Sequence, residues 1–190
     1  MNSKKLLVIS GPSGSGKSTV AKKILERYPE FEFSVSSTTR EKRSNEINGK
    51  DYYFINIENF KEEAERGEFI EYEEVYDGVF YGTSKKEISR IFNDNKIPLL
   101  DIDVKGALSI KRIYGSTAYL VFIHPGSIQT LRERLIKRNT DLLNVIEKRL
   151  AKAEFELSFT DSFDSVVKND NELEVCLDEI QNLLNNVLLK

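Results

Sequence analysis

Cysteine, histidine, long apolar runs and an excess of basic charge are what this sequence lacks, and each shortage closes off a class of function. The single cysteine, Cys176, leaves no intramolecular disulfide and no multi-cysteine metal site; its place on the apolar stripe of a late helix points to packing. The single histidine, His124, belongs to a strand-end turn and is read as structural rather than as a general base. Formal net charge is −3, without the basic surplus that duplex binding requires, so no nucleic-acid partner is expected. No apolar run approaches the length of a membrane span, and the N-terminus lacks the apolar core of a signal peptide, so a cytoplasmic protein without membrane contact is expected. Internal repeats, low-complexity tracts and linkers are missing too, and 190 residues suit one domain.

What the chain does contain is Gly11-Pro12-Ser13-Gly14-Ser15-Gly16-Lys17-Ser18, which fits G-x-x-x-x-G-K-[ST] directly after the apolar run Leu6-Leu7-Val8-Ile9. A strand that feeds such a loop, followed by the amphipathic spacing of Val20, Ile24 and Leu25, is the context this motif needs to cradle a nucleoside triphosphate. Lys17 is expected at the β- and γ-phosphates. Ser18 is expected at magnesium, with Asp101 holding the same ion directly or through water.

Strand-like runs alternate with helical ones along most of the chain, which predicts an α/β fold: a parallel sheet covered by helices on both faces. Two polar interruptions break the rhythm. Residues 36–83 read as a small mixed insertion with a hairpin at Asp77-Gly78, opening on Ser36 to Arg40, a segment too hydrophilic for a core. The stretch from Arg134 to Thr140 is the second. Ligands of such sheets gather at the carboxyl ends of strands, so Ser10 to Ser18, Ser36 to Arg40 and Asp101 to Asp103 are expected to share one crevice.

Within these stretches, Arg40 and Arg43, close to Tyr52 and Tyr81, read as a second phosphate clamp or, alternatively, as a solvated charged loop. Arg134, Arg138 and Arg149 read either as cations aimed at a transferring phosphate or as a surface helix screened by Glu147 and Glu154. Glu71 with Ser36 and Thr83 suits guanine, whose N1–H and N2–H donors a carboxylate accepts. Adenine would face that carboxylate with a lone pair.

Taken together, these residues resemble the guanylate kinase family over nearly the whole chain. The likeness runs through Ile9 to Thr19, Phe33 to Arg40 with Arg43, Asn48 to Tyr52, Phe69-Ile70-Glu71, Tyr81-Gly82-Thr83, Asp101-Ile102-Asp103 with Gly106, Arg134-Leu135 with Arg138, Lys148-Arg149-Leu150 and Asn169-Asp170. The resemblance implies a P-loop core (about 1–35, 84–126 and 160–190), a GMP-binding region (about 36–83) and a helical lid (about 127–159). It implies transfer of the ATP γ-phosphoryl group to GMP, and to dGMP, with magnesium. By it the ATP site comprises Gly11, Pro12, Ser13, Gly14, Ser15, Gly16, Lys17, Ser18, Thr19, Arg134, Arg138 and Asn169. Ser36, Glu71, Thr83 and Asp103 meet guanine; Arg40, Arg43, Tyr52 and Tyr81 meet the GMP phosphate. Lys17, Arg43, Arg138 and Arg149 act on the transferring group. Lys42, Ser44-Asn45 and Asn139 depart from the commonest family pattern, and Asn139 bears on lid hinging because asparagine adopts left-handed geometry less freely than glycine.

Two other readings compete with this one. A non-catalytic guanylate-kinase-like binding module is disfavoured by the intact Lys17 and Ser18, and a kinase for another nucleoside monophosphate by Arg40, Glu71 and Asp103. A switch GTPase lacks its Asn-Lys-x-Asp here.

Overall fold

A computed structural model describes residues 5–137, 143–170 and 172–188. The first half contains β1 (Leu6–Ser10), α1 (Lys17–Arg27), β2 (Phe31–Phe33), β3 (Ser37–Thr38), β4 (Tyr53–Phe54), α2 (Ile57–Glu65), β5 (Phe69–Tyr76) and β6 (Val79–Ser84). The second contains α3 (Lys85–Asn93), β7 (Ile97–Asp101), α4 (Val104–Tyr114), β8 (Ala118–His124), α5 (Ile128–Lys137), α6 (Leu143–Leu157), β9 (Ser165–Lys168) and α7 (Leu173–Val187).

Five strands form a wholly parallel sheet in the order β2-β7-β1-β8-β9. Alternating side chains of β1 divide between its faces. Leu7 and Ile9 pack with Val20 and Ile24 of α1 and with Cys176, Ile180 and Leu184 of α7. Leu6 and Val8 join Ile88, Val104, Ala107, Ile110 and Phe122 on the other face. A central strand buried on both sides has no polar alternation to show, which is why β1 reads as a continuous apolar run. The expected face for Cys176 is met: its thiol is fully buried, and burial raises its pKa to about 11, so it is inert at neutral pH.

The second sheet, β4-β3-β6-β5, is mixed. Aromatic rings supply much of its packing. Phe60 of α2 stacks on Phe69 at 4.5 Å between centroids and lies 5.4 Å from Phe80. One expectation is corrected here. Ser36, Ser37 and Thr38, judged too polar for a core, are buried, with Thr38 fully so. Burial is tolerated because the backbone pairs with β4 and β6 and the hydroxyls find carbonyls: Thr38 Oγ1 donates to Phe80 O at 2.9 Å and Thr39 Oγ1 to Gly78 O at 3.0 Å.

Helices α5 and α6 form a third apolar cluster from Leu131, Leu135, Ile146, Leu150 and Ala153. Ser127 caps α5, its hydroxyl accepting from the Thr130 N–H at 3.0 Å. Among the described residues, no helix is long and apolar enough to cross a membrane.

Candidate active site

The turn from β1 into α1 curls around its own lysine. Lys17 Nζ donates to the carbonyls of Gly11 (2.7 Å) and Pro12 (3.1 Å), so a cation already sits in the mouth of the loop. Gly16 caps α1 at φ +98°, and a Cβ there would stand 2.2 Å from Nδ2 of Asn169. No other residue type fits both constraints. Asn169 Nδ2 donates to the Ser15 carbonyl at 2.7 Å, while Arg134 Nη2 donates to Asp170 O at 2.6 Å. Arg134 Nη1 also lies 3.5 Å from the Ser15 carbonyl, so both residues brace the loop at that point.

At the end of β7, Asp101 accepts the Ser18 hydroxyl at 2.8 Å. Burial raises the pKa of Asp101, while Lys17 and Ser18 act in the opposite sense. Asp103 caps α4 by accepting the Gly106 N–H at 2.8 Å. Gly106 is also what admits Glu71 to this corner: a Cβ on it would lie 2.7 Å from Glu71 Oε2. Glu71 is buried and accepts the Thr83 hydroxyl at 2.5 Å. Its pKa is pushed up to about 7, first by burial and then by the neighbouring Asp103 and Glu73 carboxylates, with Thr83 pulling the other way. A carboxylate kept this close to neutrality is short of hydrogen-bond donors.

On the facing wall the Arg40 guanidinium lies 5.5 Å from the centroid of the Tyr52 ring, and the Tyr52 and Tyr81 rings are 5.7 Å apart. Burial and the charge of Asp101 push the Tyr52 phenol up to about 12, so it is a neutral hydrogen-bond donor at any physiological pH. From α6, Arg149 reaches in, its Nη1 3.4 Å from Ser13 Oγ.

All of this opens into one cavity of about 440 Å³. The expected crevice is therefore present: Gly11, Ser13, Gly14, Gly16, Lys17, Ser18 and Thr19 line it together with Asp101, Asp103 and Arg149. Ser36, Arg40, Arg43, Tyr52, Glu71 and Tyr81 of the expected set line it as well. Pro12, Ser15, Thr83, Arg134 and Asn169 are not in the lining; Thr83, Arg134 and Asn169 hold lining residues or the loop. Arg138 and Asn139 lie outside the described residues. His124 is not in the lining either, and its Nδ1 accepts from the Gly126 N–H at 3.1 Å, a structural contact.

Sequence reasoning missed Glu73, Val75, Val79, Ile102, Lys152 and Glu156, which also line the cavity. Lys152 and Glu156 were within reach of it, since they follow Arg149 at i+3 and i+7 on one helix face. Glu156 is buried, and burial raises its pKa against the opposing pull of Lys17 and Lys152.

Comparison with known proteins agrees with the geometry. The family model described as guanylate kinase matches residues 3–187. A guanylate kinase of Porphyromonas gingivalis is 44% identical over 187 residues, covering 98% of this chain and 99% of its own. One from Thermotoga maritima is 46% identical over 166 residues, 87% of this chain and 79% of its own. The crystal structure of guanylate kinase from Anaplasma phagocytophilum superposes with a TM-score of 0.79 at 36% identity, covering 98% of this chain and 87% of that one. With a triphosphate loop and the buried Glu71 beside Asp103 opening into one cavity, and with that likeness running almost end to end, the chain belongs to the guanylate kinase family.

Proposed function

We propose that this protein transfers the γ-phosphoryl group of ATP to GMP, and to dGMP, giving ADP and the corresponding diphosphate. The observation that carries this reading is a shared space: Lys17 and Ser18 of a triphosphate loop and the Glu71–Asp103 carboxylates border the same cavity, with Arg40 and Arg43 on its wall. A donor nucleotide and an acceptor purine can thus lie head to head.

In this reading residues 36–83 form the GMP-binding region, 127–159 the lid and the remainder the core. Lys17 leaves the Gly11 and Pro12 carbonyls for the β- and γ-phosphates, an exchange of neutral acceptors for anionic ones. Glu71 accepts guanine donors and Asp103 joins it from the N-cap of α4. Thr83 acts through Glu71, as the hydroxyl that fixes its carboxylate. Arg40, Arg43, Tyr52 and Tyr81 hold the GMP phosphate, whose second pKa near 6 leaves the attacking oxygen already ionised, so no general base is needed. Arg43 and Arg149, with Arg138, face charge that spreads over the phosphoryl oxygens in transit, where fixed cations lower the barrier most.

The pair Ser18 and Asp101 suits a magnesium ion. Their oxygens are 2.8 Å apart, and burial raises the pKa of Asp101 despite the opposing pull of Lys17, a penalty on the carboxylate that a divalent cation would offset. Among the described residues no cluster of three metal-ligating side chains exists, in keeping with an ion that retains most of its water. Bound there with ATP, it would supply positive charge against the phosphate oxygens. A cytoplasmic setting follows from the substrates.

An assay coupling ADP release to each of GMP, AMP, CMP and UMP tests the whole reading. GMP alone is expected to support turnover; equal rates with AMP would overturn the guanine assignment, and binding of GMP without ADP release would make the chain a binding module.

A further inference from the structure

The loop after β3 contains an acidic residue that no role above uses. Glu46 Oε1 accepts from Arg40 Nη2 at 2.7 Å; its Oε2 accepts from Arg40 Nη1 at 3.1 Å and from the Arg43 N–H at 2.8 Å. The Glu46 N–H in turn donates to Arg43 O at 3.1 Å, closing a ring that includes both arginines. The Arg40 and Glu46 side chains are only 19% and 12% exposed, so this is not a loose surface pair. Arg40 Nη1 also donates to Glu41 O at 2.6 Å, and the guanidinium lies 5.5 and 5.6 Å from the centroids of Tyr52 and Phe54. A guanidinium has five N–H groups. Three of those of Arg40 are engaged by the loop, which leaves two to divide between the Tyr81 phenol and a ligand.

Arg40 and Arg43 line the cavity; Glu46 does not. The carboxylate therefore grips the clamp from behind instead of occupying the place of a phosphate. We infer that Glu46 is a positioning residue of the GMP phosphate clamp, fixing the rotamer of Arg40 and the backbone of Arg43 before substrate arrives. The inference rests on the reading of this cavity as a GMP kinase site.

Two physical effects predict opposite outcomes when the charge is removed. Field strength alone would make Glu46→Gln bind phosphate more tightly, since one negative charge near two arginines is gone. Loss of a bidentate, charge-assisted grip frees a long side chain, and binding must then order it again. At this depth the grip should win, because solvent screens the distant charge but not the lost hydrogen bonds.

The experiment measures KM for GMP, KM for ATP, kcat and melting temperature for wild type, Glu46→Gln and Glu46→Ala. KM for GMP should rise about tenfold in the glutamine variant, as loss of charge-assisted bonds implies, and further in the alanine variant, with KM for ATP within about twofold. Should Glu46→Ala fail to fold, the isosteric glutamine variant still decides. A lower KM for GMP in Glu46→Gln would mean the carboxylate competes with phosphate. Unchanged KM values, or a lower melting temperature with both KM values moving together, would make the pair merely structural; either result overturns the inference. A wild type that ignores GMP would instead overturn the kinase reading.

Discussion

The wall of the cavity around Gly11 to Ser18, read as the donor side, is shaped by main chain, and the wall around Glu71, read as the acceptor side, by side chains. Around Gly11 to Ser18 the shape is set by backbone geometry: a left-handed Gly16 pressed against Asn169 and carbonyls turned toward Lys17. Around Glu71 it is set by charge and burial, with a carboxylate driven up to about 7, an arginine pair, the neutral phenol of Tyr52 and the Tyr81 ring beside it. The first plan suits a triphosphate, which every nucleotide donor shares. The second suits a base, whose identity depends on which edge groups are donors. Tolerance should differ accordingly: the donor side should fail through backbone or charge loss, and the acceptor side through single polar atoms.

The largest effects should come from removing cations that act during transfer. Lys17→Ala and Arg149→Ala, and likewise Arg43→Ala, are expected to lower kcat by roughly a thousandfold or more in steady-state assays, with GMP binding by calorimetry largely kept for the first two. An unchanged kcat with only a raised KM would erase the distinction between binding and transfer made here. Gly16→Ala should match that loss for a different reason, since its Cβ overlaps Asn169; ATP binding itself should disappear.

Glu71→Gln comes next. It should relax preference for GMP over AMP by about a hundredfold, read as the ratio of kcat/KM values, because an amide can meet either purine edge with one donor and one acceptor.

The pH dependence sharpens the same contrast. In the ligand-free protein the Glu71 carboxyl titrates at about 7, above its ordinary value of 4.5. The folded state thus holds more protons than the unfolded one between those values, and stability from this group is full below about 4.5 and falls as pH rises toward 7. Guanine needs the ionised form, so affinity for GMP should weaken as pH drops below about 7, approaching tenfold per unit. Guanosine, which has no phosphate to titrate, isolates the effect, and Glu71→Gln should abolish it. A guanosine affinity flat from pH 5 to 8 would show that this carboxyl is ionised throughout.

A smaller change is expected from Phe60→Ala, which empties the aromatic cluster under the second sheet at a cost of about 3–5 kcal/mol. GMP affinity should suffer while ATP affinity holds, if the acceptor sheet is packed independently of the core. The smallest is Thr83→Val. Loss of the hydroxyl at 2.5 Å from Glu71 should raise KM for GMP several-fold and move the pH midpoint upward, because that bond favours the ionised form.

Much of this was legible beforehand because local chemistry carried it. The loop motif announces itself by spacing, β1 by an unbroken apolar run, and the stripe of Leu177, Ile180 and Leu184 by helical period. What misled was polarity taken without partners. Ser36 to Thr38 looked exposed because a sequence does not display the Phe80 carbonyl that satisfies Thr38. Nothing local marks Glu46 as the partner of both arginines, while Lys152 and Glu156 were visible as spacing but lacked a reason to matter.

Residue types and their intervals by themselves determined the class of fold and the triphosphate loop, since those depend on periodicities and motifs within a few residues. Tertiary structure alone decided which of them touch open space and in what ionic state. Asn169 and Arg134 donate to the Ser15 carbonyl of the loop, Thr83 holds Glu71, and burial pushes the Glu71 carboxyl up to about 7. Desolvation and hydrogen bonding between segments more than a hundred residues apart, as between Asn169 and Ser15, exist only once the chain has folded.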